Sequence, residues 1–482
     1  MIKKFGVKNF KAFKDTGDIE LKPMTVIAGP NNCGKTTILQ SLLLLKQTIE
    51  TQDPRIPLSI HGRFTDFTSL GEIAFGRPGI GESHIEYRIS VQKRITIKLI
   101  PSYFPDVTVD DDANDQQLWA DIKFSFNDGK SPNGKGDIEE SSFDMATSVE
   151  SHHGPRLSLQ RLKAGEYTVK ISGHGMRIPQ FLNEKDSVNF DYRFFLPSYF
   201  GPTRDEENGD GLHRAEMRWL DPIFLNPLLE LERDLSDRLW YLGPLREPPQ
   251  RSYPHRAGPF KDLGTAGEKA AQILNLEHDR TIDYLPAIDG QIEQVRLCDA
   301  VDDAFRRLGL AENIDVRSLA STVYEVVLPL GPDKKKWITI SDVGFGISQL
   351  FPIIVMSFVS PDDSILIFEQ PEIHLHPKLQ AGLADFLLTV ALAGKRVLLE
   401  THSDHFINRL RRRIAEDPSD ELKDKVNILF ISPPQDGEGA RIDQLKVDRY
   451  GIIENWPPDF LPEASDEAER IIRAGFTKRN GK

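Results

Sequence analysis

The stretch that most constrains this chain is IELKPMTVIAGPNNCGKTTILQSLLLLKQ, residues 19–47. An apolar run ends in glycine, eight residues fit the spacing G-x-x-x-x-G-K-[ST], and an apolar helical pattern follows. A strand, a glycine-rich turn and a helix in that order place backbone N–H groups at a helix N-terminus, which binds phosphate. Gly29 and Gly34 let the loop curl, with Asn31 and Asn32 between them. Lys35 supplies a point charge for β and γ phosphates, the Thr36 hydroxyl is a magnesium ligand, and Thr37 reaches the α phosphate. Cys33, between the glycines, reads as a tolerated small residue.

The C-terminal half repeats strand and helix: SILIFEQPE, KLQAGLADFLLTVALAG, KRVLLETHS, HFINRLRRRIAED and VNILFIS. Strands separated by helices of this length predict a mainly parallel α/β sheet. Earlier, residues 58–100 show period-two alternation, clearest at Ile85, Tyr87, Ile89 and Val91. Residues 101–215 carry polar loops such as VTVDDDANDQQ between short strands (ADIKFSF, YTVKISG), an inserted and partly mobile β region. Residues 216–340 predict a helical and β lobe, including Leu228, Leu231, Leu235 and Leu239 at helical spacing and a hairpin in YEVVLPLGPDKKKWITI. The expected division is therefore 1–100 for the N-terminal part of the core, 101–215 for the insert, and 216–340 for the lobe. Residues 341–435 complete the core, and 436–482 form an appendage ending in a helical pattern.

Composition narrows the function classes. A net charge of −13 excludes a polycation that coats nucleic acid, though a local basic patch is compatible with it. Two cysteines, Cys33 and Cys298, make no disulfide framework and fit a reducing compartment. The N-terminus lacks a signal-peptide core, and the apolar run LFPIIVMSFV is too short to span a bilayer. A cytoplasmic protein without a membrane partner is expected.

Three further segments carry candidate chemistry. In ILIFEQPEIHLHP the acid at the end of the apolar run, Glu369, is placed to hold magnesium. Gln370 follows, and a neutral amide cannot take a proton from water. Glu372 is then the nearest carboxylate. Glu372, His374 and His376 also alternate like metal ligands, against the blander reading of histidines packed in a loop. In LLETHSDHF, His402 lies just past a strand end, within reach of a γ phosphate or an attacking water; His405 reads as structural. In SDVGFGISQLFPIIV, Gly344 and Gly346 form a flexible turn and Ser348 and Gln349 begin an apolar helix, a second candidate phosphate-binding terminus. Taken alone, that segment is equally an ordinary glycine turn.

Together GPNNCGKT, GFGISQ, FEQPE and ETHS resemble the ATP-binding core of ABC-class ATPases of the SMC/RecF-like branch. The similarity is greatest to the OLD-like (overcoming lysogenization defect) group and to a prokaryotic subgroup marked by WYLGPLREPP, ETHSDHFINRLRRRI and GIIENWPPDF. It implies a P-loop NTPase with an ABC-type head, a mainly parallel sheet, an antiparallel β subdomain and an insertion lobe. It also implies ATP and Mg2+ as cofactors and a head-to-tail homodimer or higher even oligomer. Each nucleotide would rest on one chain's phosphate loop and on Gly344, Gly346, Ser348 and Gln349 of the other. Glu369, Glu372 and His402 become the catalytic set, with Thr36 and Glu369 on the metal.

The pattern departs from the family at GFGISQ, which is not LSGGQ, and at Gln370, where a glutamate base is usual. Slow hydrolysis by a nucleotide-gated switch is the expectation, in anti-phage defence or DNA maintenance with a separately encoded effector. Only 80 residues follow His402, so no Toprim nuclease domain is expected. The alternative is an ATP-gated DNA clamp, DNA being a further candidate partner through RLRRRIA (409–415) and PQRSYPHR (249–256). Arg246 is a candidate for the nucleotide, the dimer seam or a structural ion pair. Gln40 and Gln92 are candidates for sensing the γ phosphate.

Overall fold

Met24–Ala28, Ile365–Glu369 and Arg396–Glu400 are buried at every position, as expected of parallel strands covered on both faces. They lie in a six-stranded sheet ordered Leu239–Leu242, Ile365–Glu369, Arg396–Glu400, Met24–Ala28, Val426–Ser432, Arg441–Leu445. All neighbours are parallel except the last pair. The computed structural model describes residues 1–96 (without 54 and 80), 115–128, 138–149, 152–163, 166–172, 187–202, 221–255, 260–330, 336–434, 437–455 and 457.

Alternation along each strand divides the interior into two cores that share this sheet. Ile365, Ile367 and Leu398 join Ile38 and Leu42 of the Lys35–Ile49 helix on one side. Leu366, Phe368 and Leu399 join Ile354, Leu387 and Leu410 on the other, from the helices Phe345–Val359, Pro377–Leu392 and Asp404–Glu416. Glu369 and Glu400 are register partners at the ends of adjacent strands. The strand Met24–Ala28 runs between Arg396–Glu400 and Val426–Ser432, so the loop that leaves it opens beside Glu400.

A second sheet has ten antiparallel strands. Its main path runs from Leu196–Pro202 through Ser187–Arg193, Glu166–Ser172, His152–Lys163, Ile138–Val149, Asp115–Asp128 and His84–Thr96 to Ile2–Phe10 and Phe13–Asp15, with Ile19–Glu20 paired to Ile2–Phe10 off that path. The strands after residue 115 thus extend the sheet begun by the N-terminus. Its inner face is aromatic: Tyr87 stacks on Phe124 at 5.3 Å, and Phe124 on Phe195 at 4.8 Å. Burying each such ring contributes about 2–3 kcal/mol. Tyr87 also donates to the Ser41 carbonyl, fixing the sheet against the helix that follows the phosphate loop.

Some expectations need correcting. Among the described residues of 58–100, the strand covers His84–Thr96 alone. Leu70–Ile73 is a helical turn, with the Ser69 side chain accepting from the Glu72 N–H. The helix expected to begin at Ser348 begins at Phe345, with Gly344 as its N-cap at φ −62° and Gly346 inside the first turn. Neither glycine uses a positive φ, so nothing stops the helix from starting one turn earlier. The acidic loop before Asp115, and the helical pattern of the tail after residue 457, lie outside the described residues.

Candidate functional site

Where the parallel strands end, a cavity of ≈ 670 Å³ opens, within the range of small-molecule sites (roughly 300–1,000 Å³). Asn31, Asn32, Gly34, Lys35, Thr36 and Thr37 line one wall; Gln370, Glu400 and His402 line the other. Lys11, Gln40, Glu72 and Arg77 line it as well, beside Ala12 and Ala74.

The loop conformation depends on its glycines. Gly29 has φ +151°, and a Cβ there would lie 2.5 Å from the Ile431 carbonyl oxygen. Gly34 has φ +104°, and its Cβ would lie 2.9 Å from Ala12. The Lys35 ammonium donates to the carbonyls of Gly29 (3.0 Å) and Pro30 (2.6 Å), so the loop closes on its own cation. Burial lowers the Lys35 pKa. Cys33 is fully buried, and burial raises its thiol pKa, which leaves it a small packed residue rather than a reactive one.

The residue missing from the motif reading is Glu400. Its carboxylate accepts from the Thr36 hydroxyl at 2.8 Å, and its other oxygen is 3.5 Å from the Gln370 amide nitrogen. Burial raises its pKa, opposed by Thr36 and Lys35. RVLLE ends in an acid after an apolar run just as ILIFE does, so the same rule that selected Glu369 also selects Glu400. Lys11 and Arg77 left no comparable signal, because each reaches the cavity from a separate turn.

The ETHS tetrad divides its work by residue. Glu400 faces the cavity, Thr401 is fully buried, and His402 is exposed at the cavity wall. Ser403 caps the next helix by accepting from the Phe406 N–H. Burial, with Lys35 nearby, lowers the His402 pKa.

FEQPE divides similarly. Glu369 does not line the cavity: it accepts from the Tyr241 hydroxyl at 3.1 Å, and burial, reinforced by Glu400, raises its pKa to about 7. Gln370 does line it, at φ +42°, with its N–H donated to the Glu400 carbonyl. A non-glycine residue in that region costs on the order of 1–3 kcal/mol and is held by its surroundings. Glu372 is 7% exposed, stays out of the cavity lining, and accepts from the His402 N–H at 2.7 Å. His376 caps the Pro377–Leu392 helix through its Nδ1, so Glu372, His374 and His376 form no metal cluster.

Other candidates lie elsewhere. Gly344, Gly346, Ser348 and Gln349 are away from the cavity of their own chain, with Ser348 and Gln349 buried. Gln40 reaches it and accepts from Lys11 at 2.7 Å, whereas Gln92 bonds Gln117 within the antiparallel sheet. The arginines of 409–415 are engaged: Arg409 and Arg413 with Asp385 (3.4 and 2.8 Å), Arg412 with Glu416 (2.6 Å), Arg411 with the Gly451 carbonyl. Arg251 pairs with Asp342 at 3.2 Å, and Arg256 lies outside the described residues. Among the described residues, one mixed metal-ligand grouping occurs, His278, Asp279 and Cys298, but Arg296 already pairs with Asp279 and Asp299 there. No helix of the described residues is long and apolar enough to cross a membrane.

The cavity suits a nucleotide with a divalent cation. Its phosphate loop is one that glycine alone closes, and the Thr36 hydroxyl and Glu400 carboxylate are oxygen donors of the kind hard cations take. A family profile described as "AAA domain, putative AbiEii toxin, Type IV TA system" matches residues 24–408. The chain belongs to this AAA domain family. A 45-residue segment is 49% identical to an OLD nuclease of Thermus scotoductus, spanning 9% of this chain and 8% of that relative. Among solved structures, an Smc head bound to the C-terminal winged-helix domain of ScpA aligns at TM-score 0.42 and 12% identity, covering 92% of this chain and 98% of that one. The SMC head domain from Thermotoga maritima aligns at 0.36 and 11%, covering 92% and 99%. AAA membership and the local OLD match agree with the resemblance carried by the four motifs, and the α/β P-loop fold expected from them is the fold observed.

Proposed function

We propose that this AAA-family protein is an ATP-binding, slowly hydrolysing ATPase that acts as a nucleotide-gated dimeric switch. The observation that carries the reading is Gln370: the side chain lining the cavity where a general base is usual is a neutral amide. Glu372 does not replace it, because it is buried and turned to the backbone of His402. A missing base removes a factor of typically 10²–10⁴ in rate. A bound nucleotide therefore persists and prolongs the closed state it drives, which suits a timer better than a motor.

In this reading the loop N–H groups, Lys35, Lys11 and Arg77 bind and orient the phosphates. Thr36 and Glu400 would hold magnesium, with Glu369 behind them, and His402 would meet the terminal phosphate. When bound, magnesium offsets negative charge on the phosphates. The turn at Gly344 is away from its own chain's cavity, which supports a second subunit supplying it in trans. The family description names a "putative AbiEii toxin, Type IV TA system", which supports a role in defence; the separately encoded effector rests on the resemblance carried by the four motifs. Pairing of the 409–415 arginines within the fold weighs against the DNA clamp.

The test is nucleotide binding, phosphate release and sedimentation with and without ATP and Mg2+, for wild type and Lys35→Ala. Binding with turnover well below one per second and ATP-dependent dimerisation, all lost in Lys35→Ala, supports the switch. Rapid turnover by a monomer would sink it.

A further inference from the structure

Arg246, from the GPLRE segment, is 6% exposed and lies outside the cavity lining. Its neighbour Leu245 is 81% exposed, so the segment passes from surface to interior within one residue. One guanidinium nitrogen of Arg246 is 3.4 Å from the side-chain oxygen of Gln349, the fifth residue of the Phe345–Val359 helix. The other donates to the Glu369 carbonyl at 3.1 Å, where the strand hands over to Gln370. The guanidinium thus joins the helix whose N-cap is Gly344 to the strand end that aims Gln370 at the cavity.

Glu372 extends this connection. Of the neighbouring acids it most favours the charge on Arg246, and its Oε1 accepts from the His402 N–H. Two atoms are left over: Arg246 Nε and Glu372 Oε2 are both buried without a hydrogen-bond partner. Each such atom costs about 1–3 kcal/mol, so neither group is fully satisfied in this arrangement.

We propose that Arg246 is a positioning residue that couples the helix turn at Gly344 to Gln370 and His402, so that docking of a second subunit on that turn is transmitted to the phosphate end of the cavity. The inference rests on the nucleotide-gated dimer described above. Lysine at this position keeps the charge but loses the planar fork that reaches Gln349 and the Glu369 carbonyl together.

The experiment uses the full chain with ATP and Mg2+, and variants Arg246→Gln, Arg246→Lys, Gln349→Ala and the double variant Arg246→Gln/Gln349→Ala. Nucleotide affinity is read on dilute monomer by fluorescent-nucleotide titration, and dimerisation by sedimentation. The expected result is monomer nucleotide affinity within about twofold of wild type and an ATP-driven dimerisation constant weakened about tenfold or more, the scale of ordinary site-to-site coupling. Lysine should not rescue it, and the double variant should be no worse than the stronger single one. Unchanged dimerisation in Arg246→Gln and Gln349→Ala, full rescue by lysine, or strictly additive losses would overturn the proposal. If removing a buried cation unfolds Arg246→Gln, Arg246→Lys carries the test, because it keeps the charge and removes only the fork that reaches Gln349 and the Glu369 carbonyl. A wild type that ignores ATP in sedimentation would overturn the gating reading itself, a failure separate from wild-type dimerisation that the variants leave intact.

Discussion

Replacing Gln370 with glutamate should convert a slow ATPase into a faster one. The two side chains have the same shape, and the backbone at φ +42° is held by the hydrogen bond from the Gln370 N–H to the Glu400 carbonyl, so the exchange adds a charge and replaces the amide donor facing Glu400 with an acceptor. The new carboxylate would stand 3.5 Å from Glu400, where two negative charges repel by about 5 kcal/mol at an effective dielectric constant near 20. Without a divalent cation that repulsion keeps a proton on one of the pair and lowers thermal stability at pH 8. Adding Mg2+ with ATP should close the stability gap and free the carboxylate to act as base. Steady-state phosphate release should then rise about 100-fold or more, within the range general bases provide. The assay pairs a malachite-green time course with thermal melts in EDTA and in Mg2+. A folded, ATP-binding Gln370→Glu protein with wild-type turnover would refute the argument, since position 370 would not then face the attacking water.

Further expectations follow from the same geometry. Glu400→Gln should raise the Mg2+ concentration needed for half-maximal nucleotide binding about 10–100-fold, as loss of a ligand-orienting carboxylate does; an unchanged Mg2+ titration would remove Glu400 from the cation site. Glu140, on the antiparallel sheet opposite Phe126, is 3% exposed with both oxygens unpartnered, and burial holds its pKa well above the ordinary value. The folded state then keeps a proton that the unfolded chain sheds, so its contribution is full below the ordinary carboxylate pKa and is lost as pH rises toward the folded one. Urea melts of Glu140→Gln against wild type from pH 4.5 upward should diverge by about 1.4 kcal/mol per pH unit in favour of glutamine, and parallel curves would contradict this.

The phosphate loop, its lysine and threonine, and the parallel strands were all legible in the chain, because each follows from local rules. Glycine alone adopts the φ of Gly29 and Gly34, and a fully apolar run is what a doubly covered strand requires. The absence of a base was equally legible, since an amide at position 370 is an amide in any fold. What only the tertiary structure decided is which acids share the cavity. Glu369, Glu372 and Glu400 all sit at or just past strand ends, yet one faces Tyr241, one turns under His402, and only Glu400 meets Thr36. Strand order makes that choice: Arg396–Glu400 is hydrogen-bonded directly to the strand that feeds the phosphate loop, and Ile365–Glu369 lies one place further out. Side-chain identity travels with the sequence, but adjacency in this parallel sheet pairs Met24–Ala28 with Arg396–Glu400, strands at opposite ends of the chain, and no spacing within a motif records it.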